Sequence, residues 1–253
     1  MAICALPHHC WQLILEAGKD VPFARLTPAK ELAKMTSSDA SNQLIPTSFA
    51  DVDLLLGTVI KLWHEREDNI SDWESCTSIM ALQEPEGWAR TAEQLQLINT
   101  FQWHEEDRSR AHGGGDALLG AVKRSIDASN RRRVQTVDKL DDVIFTGLQE
   151  SGAIETAAPL NSESPASIID RLSVLALKIY HVAEAQGALD SGTAEEQAMQ
   201  ERLDTLTEQY ADLGVCFDRL ILGIRTGKAG LKLYRQVKLY LDSETGRMVA
   251  DLD

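Results

Sequence analysis

Apolar residues recur at intervals of three and four along most of this chain, which is the spacing of amphipathic α-helices. An approximate capping box at Ser48 and Asp51 precedes the first long segment of this kind. Further helices are predicted at about 86–111, at about 116–148, behind Ser164 with Pro165 at the first helical position, from a Thr193 cap to Gly227, and at about 231–241. Because no segment alternates convincingly with a period of two, the pattern predicts an all-α bundle of long, mostly antiparallel helices.

The helical pattern weakens near the N-terminus, where only short signals occur before a polar run at residues 36–43. We therefore expect a short N-terminal helical arm or small helical layer over residues 1–47 and a helical bundle domain over residues 48–253. The start has neither a basic leader nor a clean apolar run, and no segment approaches the roughly 20 apolar residues of a membrane helix. A cytoplasmic protein without membrane insertion is the expectation.

Charge and cysteine usage narrow the classes of partner. The formal net charge of −14 argues against a nucleic-acid partner, because phosphate backbones need a basic face. Residues 225–238 nevertheless hold five basic side chains and no acidic one, which indicates either a small anionic ligand or a solvated helix face. The cysteines form no CxxC pair, which is typical of reduced thiols. Cys4, His8, His9 and Cys10 could in principle hold a metal, but a loose arm is favoured there.

Polar side chains fall on the apolar face of the third predicted helix. Arg133 lies within the apolar stripe, and Asn130 lies at its edge. A guanidinium that faces a core needs a carboxylate, a phosphate or backbone oxygens as its partner. The pattern leaves open a buried ion pair, which we favour, and an anion-binding arginine in a cavity between helices.

The fourth predicted helix is apolar on two sides, which is typical of a central, buried helix. Asp170 and His181 lie close together in angle on its second face, and Arg171 and Lys178 form a neighbouring strip. Such residues on a buried helix indicate either a polar network that fixes the packing or a binding site.

The second predicted helix carries an acidic run, Trp103-His104-Glu105-Glu106-Asp107, which could supply metal ligands. Pairing of Glu106 with Arg110 one turn later is the simpler explanation of those two side chains. The chain contains neither the Glu-x-x-His motif of di-iron bundles nor any familiar catalytic fingerprint. The acidic run is similar to Trp63-His64-Glu65-Arg66-Glu67-Asp68, a likeness that we interpret as chance and not as a repeat.

Four ordered segments carry a family resemblance. They are Asn99 with Trp103-His104-Glu105-Glu106-Asp107-x-x-Arg110, residues 122–130, residues 163–181 and residues 231–240. Over about residues 48–241 the chain resembles a bacterial family of unknown function, whose members are often encoded beside glycosyltransferases in lipopolysaccharide gene clusters. The resemblance supplies no catalytic residues, and the link to envelope polysaccharide metabolism that it implies is one of association.

These observations favour an interhelical site for a phosphorylated or nucleotide-linked sugar. The ligand-binding candidates are Asn130, Arg133, Arg171, Lys178, Arg235 and Lys238, and the candidates for catalytic proton transfer are His104, Asp170 and His181. Whether the protein is an enzyme stays open.

Two alternatives remain. A non-catalytic helical partner or scaffold protein, which could also form homo-oligomers, would use the regular apolar seam at residues 199–224 as its interface. A metal-dependent all-α phosphohydrolase would instead need a divalent metal cofactor, with Glu106 and Asp127 or Asp170 as ligands of Mg²⁺.

Overall fold

The computed structural model describes residues 45–110, 116–154, 157–234, 239–241 and 247–250. Within these residues the chain forms six α-helices, which confirms the predicted all-α bundle. The helices are α1 (Phe49–His64), α2 (Trp73–Ile79), α3 (Trp88–Arg110), α4 (Asp116–Glu150), α5 (Pro165–Gly187) and α6 (Ala194–Arg225). A 3-10 turn at Glu67–Asn69 follows α1, and two short strands, β1 (Leu239–Leu241) and β2 (Met248–Ala250), follow α6.

The helices begin where their capping residues predict. The Asp51 carboxylate accepts a hydrogen bond of 3.0 Å from the Ser48 amide at the start of α1. Ser164 accepts a hydrogen bond from the Ser167 amide at the start of α5. Thr193 accepts one from the Glu196 amide at the start of α6. These caps satisfy amide groups that the first turn of a helix leaves without partners.

The core forms around α3 and α5, which pack against each other. Helix α3 also contacts α1 and α4, while α5 also contacts α1, α4 and α6. The apolar seam of α6 lies inside this core, where Leu203, Tyr210, Leu213, Phe217, Leu220 and Ile224 are buried. The seam therefore serves internal packing, and a partner protein would have to use another surface. No helix among the described residues combines the length and the apolar character needed to cross a membrane.

The predicted last helix, at about 231–241, is wrong for the residues that the structure describes. Residues 231–234 have no regular secondary structure, and β1 pairs antiparallel with β2. Gly230 forms an isolated parallel bridge with Leu160, and its amide donates to the Pro159 oxygen at 2.8 Å. This pairing with a distant loop gives the chain an extended path after α6, so a tertiary contact overrides the helical spacing of the following residues. The short helix α2 and the 3-10 turn were not predicted.

The predicted arm falls almost entirely outside the described residues. Of residues 1–47 the structure describes only Ile45, Pro46 and Thr47, and Ile45 is buried in the core. The division of the chain at residue 48 stays a prediction, as does a metal site at Cys4, His8, His9 and Cys10.

Candidate metal centre

Three histidines from three helices converge at one point of the bundle. His64 is the last residue of α1, His104 lies on α3 and His181 lies on α5. One ring nitrogen of each lies within 4.8 Å of the others, and no other group of three potential metal ligands has this geometry within the described ranges. The side chains are 10%, 28% and 19% exposed, so the centre lies just beneath the surface and within reach of an ion.

Hydrogen bonds fix the tautomers of two of these rings. The Nδ1 atom of His64 lies 2.8 Å from the Ile60 carbonyl oxygen, and a carbonyl can only accept. The Nδ1 atom of His181 lies 3.4 Å from Oε2 of Glu184, which likewise accepts. Both rings therefore carry a proton on Nδ1, which leaves Nε2 as the nitrogen that can bind a metal ion; such contacts commonly orient histidine ligands of metals.

The Nε2 atoms are the anomaly of this cluster. All three are buried and have no hydrogen-bond partner among the described residues. A buried polar atom without a partner is costly and calls for a specific explanation. A cation placed between the rings would satisfy these nitrogens.

Taking up a proton does not give the Nε2 atoms of His64 and His104 a partner near pH 7. Burial is the main cause that lowers the pKa of His64 to about 4 and the pKa of His104 to about 3. Both rings are therefore neutral near pH 7, which is the form that coordinates metal ions.

Glu67 adds a carboxylate to the cluster from the 3-10 turn that follows α1. Its Oε2 atom lies 3.8 Å from Nε2 of His64 and 4.0 Å from Nε2 of His104. Burial raises the pKa of Glu67, and the neighbouring charge of Glu184 raises it further. A carboxylate in this place can bind a metal ion directly or accept a hydrogen bond from a water molecule beside it.

Aromatic rings hold each imidazole in place. Every ligand histidine directly follows an aromatic residue in the sequence, and each of these aromatic rings stacks on the histidine of another helix. The stacked pairs are Trp63 with His104, Trp103 with His181 and Tyr180 with His64, with ring centroids 5.2, 5.1 and 4.0 Å apart. Each of the three helices thus supplies one aromatic ring that stacks on the histidine of a neighbouring helix. This stacking limits the rotation of each imidazole.

The comparisons with known proteins concern the larger part of this bundle. A family model described as "Protein of unknown function (DUF4254)" matches residues 89–233, which is more than half of the chain. The chain belongs to the DUF4254 family. The match confirms the resemblance to a family of unknown function over a shorter range than the sequence predicted, and it includes His104 and His181 but not His64 or Glu67. No curated protein and no solved structure matches the chain.

Of the three candidates for proton transfer in this DUF4254 chain, the structure brings together His104 and His181 and separates them from Asp170. Asp170 lies three helical turns before His181 on α5, which is about 16 Å along the helix axis. Its carboxylate instead accepts two hydrogen bonds from Arg133, of 2.8 Å from Nε and 2.6 Å from Nη2. Asn99 donates to the same carboxylate at 3.1 Å and to Ser173 at 2.8 Å.

The remaining ligand-binding candidates do not converge within the described part of the DUF4254 chain. Arg171 is exposed and lies 2.8 Å from both carboxylate oxygens of Glu163. Asn130 accepts a hydrogen bond from Gln102, and Lys178 is exposed. The other two candidates, Arg235 and Lys238, lie outside the described residues.

The carboxylates predicted as Mg²⁺ ligands each have their own cation in this fold. Glu106 pairs with Arg110 at 3.4 Å, and Asp127 pairs with Lys123 at 2.7 Å. Asp170 is held by Arg133 as described. The candidate metal centre of the DUF4254 chain is therefore built from histidines.

Sequence reasoning missed two members of the centre, His64 and Glu67. A signal for His64 was present, because three of the six histidines directly follow a tryptophan or a tyrosine. The likeness between the two Trp-His-Glu segments, interpreted as chance, marks two helix positions that meet in space. No sequence signal singles out Glu67, whose place depends on the turn after α1.

Proposed function

We propose that this DUF4254 protein is a metal-dependent hydrolase that binds one divalent transition-metal ion, Zn²⁺ in the first place, through His64, His104 and His181. The observation that carries the proposal is the meeting of one ring nitrogen from each of three histidines, whose Nε2 atoms are all buried without a hydrogen-bond partner among the described residues. The Nδ1 contacts of His64 and His181 support it, since such second contacts orient histidine ligands.

The donor set favours Zn²⁺ and related ions over Mg²⁺. Neutral imidazole suits Zn²⁺, iron, copper and nickel, whereas Mg²⁺ prefers oxygen ligands. Zinc–nitrogen bonds of about 2.0 Å in a tetrahedron place the ligand nitrogens about 3.4 Å apart. The nitrogens here lie within 4.8 Å of one another, so shifts of roughly 1 Å would close the site.

Three protein ligands and a nearby carboxylate are the ingredients of a hydrolytic centre. A Zn²⁺ ion held by His64, His104 and His181 would lower the pKa of a water molecule bound to it. Glu67 lies beside His64 and His104 and could take the proton of such a water. Attack of that water on the carbon or phosphorus atom of an ester would break the bond to the leaving group, and Glu67 would pass the proton to the leaving group.

We propose as the substrate class a phosphorylated or nucleotide-linked sugar from envelope polysaccharide metabolism. Two observations support it: the basic residues of the sequence and the family resemblance described above. Lys178 lies one helical turn before His181, exposed and close to the centre in sequence. Arg133 and Arg171 each have a carboxylate partner, so they do not contribute an uncompensated positive charge.

Metal binding is tested first. We expect the purified protein to bind one equivalent of Zn²⁺ or Co²⁺, measured by elemental analysis after dialysis and by calorimetric titration. Replacing one of three ligands, His181→Ala, should weaken binding at least about a hundredfold. Lys178→Ala is the matched control on the same helix and should bind as the wild type does. Equal Zn²⁺ affinity in the wild type and His181→Ala would refute the metal centre.

Hydrolysis is tested separately on the zinc-loaded protein. The probes are 4-nitrophenyl acetate and bis(4-nitrophenyl) phosphate, whose products absorb visible light. Glu67→Gln should lower the rate about a hundredfold or more, because general base catalysis contributes at least that much. If the protein binds Zn²⁺ but Glu67→Gln is as fast as the wild type, the hydrolase assignment fails and the metal centre stands.

A further inference from the structure

A second site lies far from the histidines, where the start of α5 meets the end of α6. An open cavity of about 510 Å³ is lined there by the loop before α5, by Ile168, and by α6 with its following turn. Ile168 lies 13 residues before His181 on α5, which is about 20 Å along the axis. The volume is in the range of sites for small molecules. We propose that this cavity binds a small molecule that carries a phosphate group.

Backbone contacts build one wall of this cavity and fix its shape. The Lys228 amide donates to the Gly223 oxygen at 2.7 Å, which folds the turn back onto the end of α6. The Gly230 amide donates to the Pro159 oxygen at 2.8 Å and ties the same turn to the loop before α5. A Cβ atom at Gly230 would lie 2.7 Å from the Ala158 oxygen, so this close approach requires glycine. The wall is therefore part of the fold.

The cavity is positive although the chain as a whole is strongly negative. Arg219 of α6 and Lys228 of the turn line it, and neither pairs with a carboxylate of the described residues. The carboxylate that lines the cavity, Glu163, is neutralised by Arg171 at 2.8 Å. Two cations without a carboxylate partner in the part of the chain that the structure describes, in a protein of net charge −14, favour an anionic ligand.

The residues that line the cavity also indicate the chemical nature of the rest of the ligand. Two of the lining residues, Ile168 and Leu220, are buried and apolar, whereas Asn161, Ser162 and Thr226 are exposed and carry amide and hydroxyl groups. An arginine and a lysine together match the double charge of a phosphate better than the single charge of a carboxylate. A lining that is apolar in part and polar in part suits a body such as a sugar ring.

The test uses glucose 1-phosphate as the probe and uncharged glucose as its matched comparison. Calorimetry should show binding of glucose 1-phosphate only. The double variant Arg219→Gln, Lys228→Gln should weaken binding at least about tenfold, since each removes a charge-assisted hydrogen bond. Arg225→Gln is the matched control, because Arg225 is exposed on α6 but does not line the cavity; we expect less than about a twofold effect.

Cys216 locates the binding event. It is exposed and lines the cavity, so bound glucose 1-phosphate should slow its alkylation by iodoacetamide, followed by mass spectrometry of the peptide. Cys76 is the internal control, because it is buried and burial raises its thiol pKa to about 12. No binding to the folded wild type, or binding that neither protects Cys216 nor depends on Arg219 and Lys228, would overturn the proposal.

The metal-centre variant His181→Ala separates the two sites. It should bind glucose 1-phosphate as tightly as the wild type, because the cavity lies about 20 Å away along α5. Loss of binding in this variant would move the anion to the histidine centre, which would refute the cavity site and leave the metal proposal intact.

Discussion

Two polar clusters lie between α3 and α5, and they differ in whether their atoms have partners. In the first cluster, Asp170 accepts from Arg133 and Asn99, and Asn99 also donates to Ser173. In the second, three histidines meet, and their Nε2 atoms are buried without a hydrogen-bond partner among the described residues. A polar cluster whose groups are all hydrogen-bonded fixes the packing of helices. A cluster with buried polar atoms that lack partners is suited to bind an ion or a ligand.

The two clusters also differ in charge. The hydrogen bonds that Arg133 donates to Asp170 raise the pKa of the guanidinium, so Arg133 is charged and already has its partner. Burial lowers the pKa of His64 and His104, so these two rings are neutral and able to bind a cation. Mutations and pH should therefore affect the two clusters differently.

Removing Asp170 should have the largest effect on stability. Asp170→Ala leaves Arg133 half-buried without its partner, and we expect the free energy of unfolding to fall by about 3 kcal/mol. Urea denaturation measures this loss. Asp127→Ala is the control, since it breaks a more exposed pair with Lys123 and should cost less than about 0.5 kcal/mol. Zinc affinity should stay unchanged in both variants, and a large loss in Asp170→Ala would mean that the clusters are not separate.

Acid should next weaken the metal-free protein through its histidines. His64, which faces His104, His181, Glu67 and Glu184, is neutral in the folded state down to about pH 4 but takes a proton below pH 6.5 when unfolded. Its contribution to stability is therefore present above pH 6.5 and is lost as the pH falls. Between pH 6.5 and about pH 5 the loss from His64 alone is about 2 kcal/mol.

Urea denaturation with a chelator at these two pH values measures the acid effect. His64→Gln has no ionisable ring at this position, so its stability should fall less over the same interval. Parallel curves for the wild type and His64→Gln would contradict the buried, neutral state of this ring. Added Zn²⁺ should steepen the pH dependence of the wild type, because protons then compete with the metal.

The smallest predicted effect concerns Glu184, whose Oε2 atom lies 3.4 Å from Nδ1 of His181. Glu184→Gln removes the negative charge that holds the Nδ1 proton of His181. We expect Zn²⁺ affinity to fall about tenfold, the lower end of what such second contacts contribute. Glu163→Gln, which alters a carboxylate paired with Arg171, serves as the control. An unchanged affinity in Glu184→Gln would show that His181 is oriented by its stacking on Trp103 alone.

Much of the fold could be predicted, because helix caps and apolar spacing are local signals. The starts of α1, α5 and α6 were confirmed at Ser48, Ser164 and Thr193. The segment after α6 was not, since its path is decided by the contact of Gly230 with Pro159, about 70 residues earlier in the chain. A local pattern does not contain such a contact.

The histidine centre could be predicted only in part, for a similar reason. Helical angles correctly placed Arg133 on an inward face, and the favoured ion pair is the contact observed. The same angles placed Asp170 and His181 on one face, but angles ignore the distance along the axis. His64 lies at the very end of α1, and the two histidines that it meets come from other helices. Its role becomes visible only once α1, α3 and α5 are packed together.

The cycle of stacked rings gives this protein a built-in optical reporter. Two of its five tryptophans, Trp63 and Trp103, lie flat against imidazoles that would bind the metal. Paramagnetic ions such as Co²⁺ or Cu²⁺ quench indole emission over such short distances. Occupancy of the centre can therefore be followed in the unlabelled protein by fluorescence, during purification and in mixtures of competing ions. Binding of the metal ion to the histidines would then be observable in real time from the emission of Trp63 and Trp103.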